Sequence, residues 1–206
     1  MTWSTHLMGG LSTLWLLQLL ATATEPLHAT QLYLAIGIPG SSLPLFPPPH
    51  DSLSWTPWSA LPLTAGAAAL GSLLPDLDAA HSNVKHLEIL GIKPFYLPSE
   101  AIFHSFGHRT VLHSARGLIA VALLAALLSP LVGFQTGTAL FLGYASHLML
   151  DACNPSGIPL RYPDHRRYWL LPKRLRIVTG SPYEEIAFAL LALLCLLYFF
   201  SALPFL

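Results

Sequence analysis

All ten basic residues of this 206-residue chain fall in two stretches, with long apolar segments around them. Lys85, Lys93, Arg109 and Arg116 lie in the first; Arg161, Arg166, Arg167, Lys173, Arg174 and Arg176 lie in the second. Two basic loops set among apolar runs of helical length are the pattern of a polytopic membrane protein. The apolar runs are 7–23, 59–74, 114–132, 135–152 and 185–203. Several fall short of the roughly 20 residues of a full crossing, which calls for tilting or cover from neighbours. The third and fourth form a hairpin turning near Pro130-Leu131-Val132-Gly133, so loops 75–112 and 153–184 share one side. The positive-inside rule puts those loops in the cytoplasm with the N-terminus, and loop 24–59 and the C-terminus outside. The expected fold class is therefore all-α: a single-domain integral membrane helical bundle of about five spans, in the cytoplasmic (inner) membrane.

Composition supports this reading. Hydrophobic residues make up 53% and charged residues 10% of the chain, against about 25% charged in soluble domains. Net charge is zero with histidine neutral, which argues against nucleic-acid binding by bulk electrostatics. Cys153 and Cys195 stand far apart, one beside Asn154-Pro155 and the other in an apolar run, so a disulfide framework is not expected. Ala21-Thr22-Ala23 resembles a signal-peptidase site, but no Lys or Arg precedes that apolar run, which favours a retained helix. The Pro- and Trp-rich stretch 24–59 reads as an interfacial loop with a short helix near 30–38.

Candidate ligands gather at the cytoplasmic ends of these spans. Asp76 and Asp78 follow Leu74-Pro75, and His108, Arg109 and His113 precede the third span. His147 and Asp151 are one helical turn apart on a single face. Glu184 opens the last span, and His6 begins the first. Each has an ordinary alternative: a solvated helix end for the aspartates, snorkelling for His108 and Arg109, a dipole-favoured acid for Glu184. Together, His6, Asp76, Asp78, His108, His113, His147, Asp151 and Glu184 form a mixed imidazole–carboxylate set suited to zinc first, with manganese or iron as alternatives. Eight candidates exceed one tetrahedral ion, so two or three divalent metals are expected. Arg109 is a natural clamp for phosphate or carboxylate.

These motifs resemble the YdjM-like family, described as membrane-bound metal-dependent hydrolases. The resemblance is carried by Thr5-His6-Leu7 with Gly9-Gly10, by Leu74-Pro75-Asp76-Leu77-Asp78, and by His108-Arg109-x3-His113-Ser114. It extends to Gly143-Tyr144-x-Ser146-His147-x3-Asp151-x2-Asn154-Pro155-x-Gly157 and Thr179-Gly180-Ser181-Pro182-x-Glu184. Thr110 and Leu112 depart from the usual Gly and Thr, and Ala79-Ala80 separate Asp78 from His81 where a His usually follows directly. The family is distantly similar to the zinc phospholipase C and nuclease group, which implies phosphoester hydrolysis. The expected function is a hydrolase in which metal-activated water attacks a lipid or lipid-linked phosphoester. Asp76 or Asp78 would serve as general base if not a metal ligand, and Arg109 would hold the phosphate. A divalent-metal transporter and a non-catalytic scaffold are the alternatives.

Overall fold

The computed structural model describes residues 1–24, 61–78, 85, 86, 88, 91–106, 110–164 and 166–202. The interfacial loop and its short helix at 30–38 lie outside these residues. Six α-helices are described: α1 (Trp3–Thr24), α2 (Leu61–Leu73), α3 (Tyr96–Phe106), α4 (Ala115–Val132), α5 (Phe134–Ala152) and α6 (Pro182–Ala202). Short 3-10 turns occupy Leu74–Asp78 and Lys173–Leu175. No β-strand forms among the described residues; an isolated bridge pairs Ile158 with Tyr168.

Local chemistry sets the boundaries. Pro75 has no N–H to continue the helical ladder, and α2 gives way to the 3-10 turn at Leu74. The Ser114 hydroxyl accepts from the Arg116 N–H at 3.2 Å and caps α4. Gly133, at φ +88°, supplies the single linking residue that reverses the chain into α5. The α4–α5 hairpin thus forms where the sequence predicts it.

Helix α5 is the centre of the bundle. Its face of Thr136, Leu140, Gly143, Tyr144, His147 and Asp151 is buried, following helical periodicity. It packs against α1, α2 and α4, while α6 packs against α1. The α2–α5 approach is backbone on backbone. A Cβ on Gly71 would lie 2.1 Å from the Leu140 carbonyl oxygen, and one on Gly143 would lie 2.1 Å from that of Ala68. Small residues at a helix crossing permit this closeness, which adds dispersion without needing water to drive it.

Polarity is arranged inside out. His6, Asp78, His113, His147, Asp151 and Glu184 are buried, whereas Leu123, Leu127 and Leu131 of α4 and Leu190, Leu193 and Leu197 of α6 are exposed. Helix α4, 18 residues with 17% of them buried, is long and apolar enough to cross a membrane, and it is the only such helix among the described residues. Helix α2, with 13 residues, is too short to do so alone.

Candidate metal centre

Four elements deliver side chains to one end of the bundle. His6 comes from the first turn of α1, and Asp76 and Asp78 from the 3-10 turn after α2. His113 comes from the turn before α4, and His147 and Asp151 from the last turns of α5. His6, Asp78, His113, His147 and Asp151 are all essentially inaccessible, and Asp76 keeps 26% of its side chain exposed.

The hydrogen bonds fix which nitrogen faces inward. The Nδ1 of His147 donates to the Ser72 carbonyl at 2.6 Å, because a carbonyl can only accept. Its Nε2 therefore carries the lone pair and, though buried, has no hydrogen-bond partner. An imidazole anchored through one nitrogen with the other left bare is the arrangement of a metal-ligating histidine. His113 is anchored similarly: its Nδ1 meets the Asp78 carboxylate at 3.3 Å, and its Nε2 faces Asp151 Oδ2 at 3.5 Å and Asp76 Oδ1 at 4.0 Å. Asp78 thereby stands behind His113.

Four side-chain atoms form a ring. His147 Nε2 lies 3.7 Å from Asp76 Oδ1 and 3.8 Å from Asp151 Oδ2, completing with His113 Nε2 a ring of edges between 3.5 and 4.0 Å. An ion with bonds of about 2.1 Å in tetrahedral geometry needs ligand atoms roughly 3.4 Å apart. Asp76, His113 and His147 offer ligand atoms within 4.8 Å of one another, and so do His6, His147 and Asp151. His6 stacks on His147 with ring centroids 3.7 Å apart, its Nε2 3.3 Å from Asp151 Oδ1. That oxygen also accepts from Asn154 Nδ2 at 3.1 Å and from the Met1 amine at 3.3 Å.

Of the sequence-predicted ligands, the fold brings His6, Asp76, His113, His147 and Asp151 into these groups. Asp78 is in neither group and contacts His113 Nδ1 instead. Glu184 lies in neither group: its Oε1 accepts from Thr2 N and from the Thr5 hydroxyl (3.1 Å), and its Oε2 accepts from Gly180 N at 2.7 Å. It joins the start of α1 to the turn before α6. His108 and Arg109 lie outside the described residues. Burial pushes the Cys153 thiol above its ordinary range, and Cys153 belongs to neither ligand group.

Three contributors were not among the predicted site residues, although Tyr144 and Asn154 stand in the fourth-span motif. Ser72 acts through its carbonyl, which any residue would supply. Tyr144 donates its hydroxyl to the Leu112 carbonyl and so pins the turn carrying His113. Asn154, which donates to Asp151, was detectable through its place in the fourth-span motif.

The chain is 32% identical over 138 residues to the uncharacterized protein YvsG of Bacillus subtilis, covering 67% of this chain and 79% of that protein. It is 34% identical over 116 residues to the inner membrane protein YdjM of Escherichia coli, covering 55% of this chain. The match to the YdjM protein of Shigella flexneri has the same extent. The aligned part spans about half of each YdjM relative, 54%. No solved structure matches. The model of the YdjM inner membrane protein family matches residues 49–204, and the chain belongs to that family.

Proposed function

We propose that the protein is a membrane-embedded, metal-dependent hydrolase of about five spans, cleaving a phosphoester of an amphiphilic, lipid-class substrate at the cytoplasmic face of the inner membrane. The family description, inner membrane protein, and the apolar exterior of α4 and α6 support the location. The observation that carries the chemistry is the buried, hydrogen-bond-free Nε2 of His147 facing Asp76 and Asp151.

His113, His147, Asp76 and Asp151 would hold one ion, and His6 with Asp151 would help hold a second. His147 has one free nitrogen and serves one ion only. When bound, a divalent ion such as zinc acts as a Lewis acid and makes water a nucleophile near neutral pH. Ser72 and Asp78 fix the tautomers of His147 and His113. Asp76, the partly exposed carboxylate of the group, would accept a proton and pass it to solvent. Arg109, four residues before His113, is assigned the phosphate by the family resemblance.

The test is metal content of detergent-purified protein, wild type beside His147→Ala, followed by hydrolysis of lipid phosphoesters. Wild type should carry at least one zinc-like ion per chain, and the variant should lose it together with activity. Metal-free wild type after reloading, or an active His147→Ala variant, refutes the proposal.

A further inference from the structure

The second basic stretch is an ordered loop pinned beside the candidate metal centre. Leu170 N donates to the Ala152 carbonyl at 2.9 Å and Ile177 N to the Cys153 carbonyl at 3.0 Å, immediately after Asp151. Ala115 N donates to the Leu160 carbonyl at 2.9 Å, and Trp169 Nε1 to that of Pro155 at 2.9 Å. Residues 158–178 contain six Lys or Arg and one acid, Asp164, a net charge of +5 (six minus one) with His165 neutral. Arg161, Arg166, Arg167, Lys173 and Arg174 are exposed, and Arg176 is held over the Trp169 ring at 4.2 Å. Between these cations stand exposed Trp169, Leu170, Leu175 and Val178.

We propose that the loop 158–178 is a seat for anionic phospholipid headgroups, its cations on the phosphates and Trp169, Leu170, Leu175 and Val178 in the adjoining acyl boundary. Charge alone would suit any polyanion. Exposed leucine, valine and tryptophan interleaved with the charges match the layered chemistry of a bilayer surface, where aromatic and basic side chains concentrate. A nucleic acid offers no place for Leu170 or Leu175. The position beside Asp151 would hold lipid headgroups at the mouth of the site. The inference rests on the membrane-embedded reading and not on the metal, so His147→Ala should leave it intact.

The full chain in detergent would be offered equal amounts of phosphatidylglycerol and phosphatidylcholine, and retained lipid counted by native mass spectrometry. Wild type should enrich phosphatidylglycerol at least about fivefold. The preference should fade between about 0.1 M and about 1 M salt, as the screening length falls from roughly 10 Å to roughly 3 Å. The variant Arg166→Gln, Arg167→Gln, Lys173→Gln, Arg174→Gln should fall to within about twofold of no preference. Should that variant misfold, the two adjacent pairs mutated separately should each lose part of the enrichment. Equal retention of both lipids by wild type, a salt-insensitive preference, full enrichment in folded variants, or displacement of phosphatidylglycerol by an RNA duplex at equal phosphate would each overturn the inference.

Discussion

Asp78→Asn should weaken metal binding by about 10–100-fold and leave the number of ions at saturation unchanged. The reasoning is geometric. Asp78 is fully buried, its Oδ2 lies 3.3 Å from His113 Nδ1, and its carboxylate is in neither group of convergent ligands. Its part is to hold the His113 ring and raise the basicity of the opposite nitrogen. An Asn there can still accept from Nδ1 through its amide oxygen, so the ring keeps its orientation but loses the negative charge behind it. The expected loss corresponds to about 1.4–2.7 kcal/mol of binding free energy. The assay is competition between metal-stripped protein and a chromophoric chelator, with Asp76→Asn in parallel. Asp76 faces both His113 and His147, so its variant should lose an ion or bind far more weakly. If Asp78→Asn saturated with one ion fewer, Asp78 would be a ligand. Unchanged affinity would remove its role in orienting His113. Either result refutes the assignment.

Two further predictions concern the scaffold. Gly143→Ala should destabilise by about 1–3 kcal/mol in thermal unfolding, since its methyl would sit 2.1 Å from a backbone oxygen that no rotamer change can move. Gly66→Ala, which meets nothing within 4 Å, should be neutral or stabilising by up to about 1 kcal/mol, and equal behaviour of the two would contradict the close α2–α5 approach. Glu184→Gln should cost about 1–3 kcal/mol of stability, because one amide oxygen cannot serve the donors that two carboxylate oxygens serve. Its ion count should stay at the wild-type value, and loss of an ion would make Glu184 a ligand.

The hairpin was legible because Gly133 interrupts the apolar stretch, although Pro130 is held inside the last turn of α4. The pairing of His147 with Asp151 was legible because a helical period predicts it. The start of α1 was not: hydropathy begins at Leu7, yet the helix begins at Trp3. Thr2 and Thr5 find acceptors on Glu184, 182 and 179 residues away, and no local pattern carries such a contact. The same limit applies to roles within the site. Composition ranks Asp76, Asp78 and Glu184 alike as carboxylates. The fold separates one facing the centre from one behind a histidine and one tying two helix starts together.

Beyond the Met1 amine that already meets Asp151 Oδ1 at 3.3 Å, buried carboxylates beside histidines admit two ways of balancing charge: protonated imidazoles, or a cation from outside. An isolated ion buried without a partner costs several kcal/mol, so some compensation is required. Protonating His147 would give its Nε2 an N–H with carboxylate oxygens at 3.7 and 3.8 Å, beyond the roughly 2.7–3.2 Å of a hydrogen bond. That proton would gain little from its neighbours, while Nδ1 is already committed to Ser72. The same gap suits an ion, because ligands bonded to one centre at about 2.1 Å stand roughly 3.4 Å from each other and not in mutual hydrogen-bond contact. His113 Nε2, at 3.5 and 4.0 Å from the same two aspartates, repeats the spacing from another element of the fold. A structural ion-pair network would have drawn these atoms together. Their separation, maintained by anchors behind both rings, favours a cation as the missing charge.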